Sequence, residues 1–243
     1  MRSFGLIGRD LSHSFSASYF TNKFASENIL DANYCNCPIP KISGFQSLLK
    51  QKDWAGFNVT IPYKEAIIPY LDELSETAKA VGAVNTVCFK DGETIGHNTD
   101  VYGFSQSIKP FLESQHERAL ILGTGGAAKA VAYALSKLGI QIYFVSNSKT
   151  AQNIFSYKDL NVEMLSHFKL IINTTPVGTA PNIEEKAPIP YDGIGTSHLL
   201  FDLIYNPETT AFLKEGINRG ASICNGLSML QLQAEKSWEL WIT

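Results

Sequence analysis

Ala119-Leu120-Ile121-Leu122-Gly123-Thr124-Gly125-Gly126-Ala127-Ala128 is the stretch on which the reading of this chain turns. Residues 119–122 are uniformly apolar, as a strand buried on both faces requires. Ala127 to Leu138 carries a helical pattern, so the segment between is G-x-G-x-x-A set directly after a strand and before a helix. The first glycine permits the tight turn, the second lets a pyrophosphate approach the backbone, and Ala128 in place of a third glycine still allows close helix–strand packing. The helix start supplies unpaired N–H groups and a positive dipole end. Such a turn is also an ordinary way to join a strand to a helix; the full strand–turn–helix context favours a dinucleotide, with Gly123, Thr124, Gly125, Gly126 and Ala127 as the phosphate-binding candidates.

The next strand, Gln141 to Val145, decides which dinucleotide. An acidic residue at its end would bind the ribose 2′-hydroxyl of NAD. The chain instead reads Ser146-Asn147-Ser148-Lys149-Thr150. Polar donors and a lysine accommodate a 2′-phosphate, so NADP is expected, with Asn147, Ser148 and Lys149 as its contacts.

Outward from this unit, strand-like and helix-like segments alternate. Leu170–Asn173, Leu199–Leu203 and Ala221–Cys224 are further strands on the C-terminal side. Toward the N-terminus, Phe4–Gly8, Ala32–Cys37 and Trp54–Thr60 read as strands, Ser16–Asn28 and Ile42–Lys50 as helices, and Pro62 as the first residue of another helix. Two short strands, Ala83–Phe89 and Glu93–Ile95, flank a hairpin turn at Lys90-Asp91-Gly92-Glu93, and a helix follows from Val101 to Leu112. This order predicts parallel sheets covered by helices.

Four polar segments of the first half stand out. Ser12-His13-Ser14-Phe15-Ser16 precedes a helix; one serine suffices as a cap, and a hydroxyl cluster there can equally hold a carboxylate. Asn58 and Thr60 alternate with apolar residues before Lys64, which the helix expected from Pro62 would put in its first turn, an unfavourable place for a cation unless a carboxylate holds it. Asn85 interrupts an apolar run. Asn98-Thr99-Asp100 precedes the Val101 helix, with Thr99 or Asp100 as its natural cap.

The 243 residues carry 44% apolar residues and a formal net charge of −3. That balance argues against nucleic-acid or acidic-membrane partners and for a small soluble substrate. There is no signal-peptide-like apolar core at the N-terminus and no long apolar run, so a cytoplasmic location is expected. Cys35 and Cys37 point the same way if their segment is a strand. The cysteines lack a second ligand pair at zinc-like spacing and read as reduced, small apolar residues; no metal is expected.

Taken together, the sequence resembles the shikimate dehydrogenase family. The resemblance rests on Ser-His-Ser-Phe-Ser at 12–16, Asn-Val-Thr-Ile-Pro-Tyr-Lys at 58–64, Gly-Ala-Val-Asn-Thr at 82–86, Asn-Thr-Asp at 98–100, Gly-Thr-Gly-Gly-Ala at 123–127, Asn-Gly-Leu-Ser-Met-Leu at 225–230 and Gln233. They occur in the family's order along nearly the whole chain. The resemblance implies an α/β protein in which an N-terminal substrate domain, residues 1–103, and a Rossmann-like NADP-binding domain, residues 104–225, flank a cleft, with residues 226–243 as a helix returning to the first domain. It implies reversible NADPH-dependent reduction of 3-dehydroshikimate to shikimate, a step toward chorismate and the aromatic amino acids. Lys64 and Asp100 would be the catalytic pair. Ser14 and Ser16 would hold the substrate carboxylate, and Thr60, Asn85, Tyr205 and Gln233 would complete the substrate site. Thr174 and Gly226 would contact the cofactor.

The chain departs from the family where an arginine usually follows Asn147: Ser148 stands there, and Lys149 lacks the bidentate fork of an arginine. The chain also ends soon after the Gln233 helix, where many relatives look longer. Two alternatives follow: an NAD-preferring quinate or shikimate dehydrogenase, and a non-catalytic NADP-binding sensor, which would not need Lys64 and Asp100. A monomer and a homodimer are both compatible with the sequence.

Overall fold

The computed structural model of the chain describes residues 1–11, 14–51, 53–148 and 151–243. Its residues divide into two compact units: residues 1–99 with 234–243, and residues 100–233.

The first unit is built on a six-stranded mixed sheet. In chain order its elements are β1 (Arg2–Gly8), α1 (Phe15–Ser26), β2 (Ala32–Pro38), α2 (Phe45–Leu49), β3 (Trp54–Val59), β4 (Glu73–Leu74), α3 (Glu76–Val81), β5 (Thr86–Lys90) and β6 (Glu93–His97). The strand order is β2-β1-β3-β5-β6-β4. β2, β1 and β3 run parallel, and the β5–β6 hairpin returns antiparallel to β3. The hairpin turns at Asp91 and Gly92, with φ of 53° and 86°, the doubly left-handed turn that an Asp-Gly pair suits.

One face of this sheet packs Phe45, Phe57, Trp54, Ile67 and Val87. The other face buries Phe4, Phe20, Phe24 and Trp238, joined by Trp241, which stacks on Phe4 with centroids 4.8 Å apart. Trp241 Nε1 donates to the Val87 carbonyl at 3.0 Å. Its ring lies 2.3 Å from where a Cβ on Gly56 would be, so glycine makes the seat. Truncating a ring buried like Phe4 or Phe20, both 0% exposed, would cost about 3–5 kcal/mol.

The second unit contains α4 (Asp100–Ile108), β7 (Arg118–Leu122), α5 (Gly126–Lys137), β8 (Gln141–Val145), β9 (Ile154–Phe155), α6 (Val162–His167), β10 (Leu170–Asn173), β11 (Leu199–Asp202), α7 (Ala211–Asn218), β12 (Ser222–Cys224) and the first part of α8 (Leu227–Ile242). Its six strands are all parallel, in the order β12-β11-β10-β7-β8-β9. Read from β9, this is the doubly wound order 3-2-1-4-5-6, whose direction reverses between β7 and β10. Leu120, Ile121, Ile171, Ile172, Leu200 and Phe201 are all 0% exposed, as strands covered on both faces must be.

Two helix expectations need correction. No α-helix follows Pro62: residues 61–67 form turns, ending in a short 3₁₀ segment at Ile68–Tyr70. Pro69 is the reason, because it lacks an N–H and its ring would strike the carbonyl four residues back in a helix. The helix from residue 100 closes at Ile108 and continues as a 3₁₀ turn at Lys109–Phe111, where Pro110 acts the same way. The structural division of the chain falls at Thr99/Asp100 and Gln233/Ala234, because Phe104, Ile108 and Met229 all pack into the second unit's core.

Candidate active site

In the first unit the expected site residues gather at one edge of the sheet. Ser14 follows the end of β1, Thr60 the end of β3, and Asn85 precedes β5, which runs the opposite way. The Thr60 N–H donates to the Ile7 carbonyl at 2.9 Å, and the Val84 N–H to the Lys64 carbonyl at 2.7 Å. Those two bonds fix the loop carrying Lys64 against the segment carrying Asn85. Lys64 therefore sits in a turn, and the helix-dipole argument about its place does not apply. Ligands of parallel strands bind at their carboxyl ends, and this is that edge for β1, β2 and β3.

Ser14 occupies the N-cap position of α1 but makes no capping bond. Its Oγ is buried with no hydrogen-bond partner. The cap that a serine before a helix ordinarily provides is absent, and a buried hydroxyl without a partner costs about 1–3 kcal/mol. Such a group at an uncapped helix start suits an anionic ligand.

A chain of polar side chains runs inward from there. Ser16 bonds Tyr34. Tyr34 OH donates to Asn58 Oδ1 at 2.8 Å, and Asn58 Nδ2 donates to Ser237 Oγ at 3.0 Å and to Thr86 Oγ1 at 3.3 Å. Asn85, 4% exposed, clamps Thr99: its Oδ1 accepts the Thr99 N–H at 2.7 Å, and its Nδ2 donates to Thr99 Oγ1 at 3.0 Å. Thr99 Oγ1 also donates to Asn85 Oδ1 at 3.2 Å. Asn85 thereby fixes Thr99 within the first unit, a positioning task the sequence did not reveal. Burial raises the Tyr34 phenol well above its ordinary range, so it stays a neutral donor.

In the second unit Asp100 is the first residue of α4 and is 3% exposed. One turn on, Gly103 lets α8 come close: a Cβ there would meet the Met229 carbonyl at 2.5 Å and Gln233 Cβ at 3.1 Å. Gln233 is thus brought beside the α4 turn that begins with Asp100.

The glycine turn lies at the switch between β7 and β10. Gly123 has φ +106°, and a Cβ on it would meet Thr174 Oγ1 at 2.8 Å. The Thr174 hydroxyl donates to the Leu122 carbonyl at 2.6 Å, tying the two strand ends together, so its side chain is committed to the fold. Gly125 caps α5 without any side chain, and nothing lies within 4 Å of its Cβ position. Open space at a bare helix start, beside Thr124, Gly126 and Ala127, fits the pyrophosphate of a dinucleotide. Beyond β8, Asn147 and Ser148 are exposed, and the Ser148 N–H bonds Ser146 Oγ at 3.3 Å. Lys149 lies outside the described residues.

Gly226 is 2.0 Å, at its Cβ position, from the Leu203 carbonyl; the glycine is required by this backbone contact. Tyr205 is half-buried, and burial raises its phenol pKa. Its loop is held by a residue the sequence reading passed over. Asp202, fully buried, accepts from Asn173 Nδ2 at 3.0 Å, from the Ile204 N–H at 3.1 Å and from Thr210 Oγ1 at 2.6 Å. Its partners are far apart in sequence, so no local pattern announces it. No group of three or more His, Cys, Asp or Glu side chains that could hold a metal occurs among the described residues. None of their helices is long and apolar enough to cross a membrane.

A doubly wound parallel sheet with a glycine turn at its switch point, joined to a unit with hydroxyls gathered at its carboxyl edge, defines a two-unit nucleotide-dependent oxidoreductase. The sequence profile of the shikimate dehydrogenase substrate binding domain matches residues 6–87. Shikimate dehydrogenase (NADP(+)) of Caldicellulosiruptor bescii is 38% identical over 259 residues, covering 99% of this chain and 89% of that one. The crystal structure of shikimate dehydrogenase 1 from Peptoclostridium difficile superposes with a TM-score of 0.84 at 40% identity, covering 100% of this chain and 92% of that one. The Thermus thermophilus enzyme, solved with NADP(H) and shikimate, gives 0.86 at 29% identity, covering 99% and 93%. The chain belongs to the shikimate dehydrogenase family.

Proposed function

We propose that this protein catalyses the reversible NADPH-dependent reduction of 3-dehydroshikimate to shikimate. The observation that carries the substrate side is the Ser14 hydroxyl, buried and without a partner at the uncapped start of α1, where a carboxylate completes what the fold leaves open. NADPH, when bound at the glycine turn, supplies the hydride.

Reducing a ketone leaves negative charge on oxygen, which a cation stabilises and a proton must then quench. Lys64 carries both the charge and the proton. Asp100 is the second member of the catalytic pair and accepts from a ring hydroxyl. Ser14 and Ser16 hold the carboxylate, Thr60, Asn85 and Gln233 face the hydroxyls, and Tyr205 borders the substrate. Asn85 acts both through its own amide and by fixing Thr99. The glycine-turn residues, with Asn147, Ser148, Lys149, Thr174 and Gly226, form the cofactor site. Four cysteines present as thiols accord with a reducing cytoplasm, where we place the enzyme, as a monomer or homodimer.

A second reading, preference for NAD with shikimate or quinate, is favoured by one observation: Ser148 stands exposed where a guanidinium would grip the 2′-phosphate. Purified protein with shikimate, in parallel with NADP and NAD, tests both. Lys64→Ala should lower kcat by about 10²-fold or more and weaken shikimate binding less. Unchanged turnover in the variant removes Lys64 from the mechanism; cofactor binding with no turnover of either acid supports a sensor instead.

A further inference from the structure

Cys35 and Cys37 have no part in the site above. They lie two residues apart on one face of β2, with Sγ atoms 3.9 Å apart. β2 is an edge strand of its sheet, so no further strand holds its outer side. Cys37 is 8% exposed and Cys35 half-buried, so Cys35 is the more exposed residue of the two. Across the ladder, Gly5 pairs with Cys35, and a Cβ on Gly5 would come within 2.8 Å of Cys37 Sγ, so the sulfur fills the space the glycine leaves. Burial pushes the Cys88 thiol up to about 12 and the Cys224 thiol up to about 11, which keeps both protonated.

Asn36, between the pair, faces the other side of the strand. Its Nδ2 donates to the Leu11 carbonyl at 3.1 Å, the same carbonyl that accepts the Ser14 N–H at 3.2 Å. A disulfide needs sulfurs about 2.05 Å apart and Cα atoms within about 4.4–6.8 Å, whereas two residues of extended strand span about 6.6–7 Å. Closing the bond therefore shortens β2 at Asn36 and pulls on Leu11.

We propose that Cys35 and Cys37 are a redox-responsive dithiol, closed to an intrachain disulfide by a small disulfide such as oxidised glutathione, and that closure loosens the hold on Ser14. The Cys35 thiolate attacks the glutathione disulfide and expels one glutathione thiolate; the Cys37 thiolate then displaces the second. The protein loses two electrons and two protons, and one disulfide becomes two glutathione thiols. The consequence for substrate rests on the carboxylate role of Ser14 proposed above.

The full chain is equilibrated across oxidised and reduced glutathione ratios. Linked peptides are then mapped by mass spectrometry, hydrogen exchange is followed at the Ser14 amide, and KM is measured for shikimate. The expected result is a Cys35–Cys37 link reversed by dithiothreitol, faster exchange at Ser14, and a KM raised about tenfold with kcat less affected. Cys35→Ser, and separately Cys37→Ala, should abolish all three responses. Glutathione adducts without the internal link overturn the dithiol; a link with unchanged Ser14 exchange overturns the coupling. A link with faster exchange in a protein that never oxidises shikimate supports the dithiol and sinks the functional reading instead.

Discussion

Ser14→Ala separates a structural serine from a ligand-binding one. A serine that caps a helix contributes about 1 kcal/mol, and its loss would lower Tm by roughly 2–4 °C in a chain of this size. Ser14 makes no capping bond, however, and its buried Oγ has no partner. Removing an unsatisfied hydroxyl relieves a desolvation cost of about 1–3 kcal/mol, part of which the small void left behind takes back. The expected outcome is a ligand-free Tm that is unchanged or higher by up to about 4 °C. Binding should move the other way. A hydrogen bond to a carboxylate is worth about 1.5–3 kcal/mol, so the shikimate dissociation constant should rise roughly ten- to 150-fold. Differential scanning calorimetry without ligand and isothermal titration with shikimate measure the two effects separately. A Tm lowered by 2–4 °C with unchanged affinity would make Ser14 an ordinary cap and refute the reasoning.

Ser148→Arg should restore a fork for the 2′-phosphate and raise the NADP-to-NAD ratio of kcat/KM by about tenfold or more; a ratio that does not move would place the 2′-phosphate elsewhere. Gly226→Ala puts a methyl group 2.0 Å from the Leu203 carbonyl, a backbone clash at or above the usual 1–3 kcal/mol of overpacking, read as a Tm lowered by at least about 2 °C. Burial pushes the Asp202 carboxyl from 3.8 up to about 6, so the folded chain keeps a proton that the unfolded chain releases. Its contribution is full below about 3.8 and is lost as pH rises through about 6. Denaturation of wild type and Asp202→Asn across that window should differ in slope by at most about 1.4 kcal/mol per pH unit, with wild type declining faster.

Much of the architecture was legible because it is written in local patterns. The apolar run before Gly123 and the small residues after it locate β7 and α5, and Asp91-Gly92 locates the hairpin. What escaped is non-local. Pro69 cancels the helix that Pro62 invites, and with it the awkward dipole expected at Lys64. The Asp202 clamp joins residues 173, 202 and 210, which share no period. Asn85 fixes Thr99 through bonds that span 14 residues. At Ser14 the residue type was informative and its task ambiguous; only the missing capping bond separates the two uses.

All three tryptophans, Trp54, Trp238 and Trp241, belong to the unit made of residues 1–99 and 234–243, and the other unit has none. Indole emission is therefore a built-in optical label for one half of the molecule. With two of the rings packed among Phe4, Phe20 and Phe24, that label senses the seating of the final turns of α8, while backbone circular dichroism sees both halves. Comparing the two signals during denaturation shows whether the halves melt as one cooperative body or in sequence, with no dye or engineered probe.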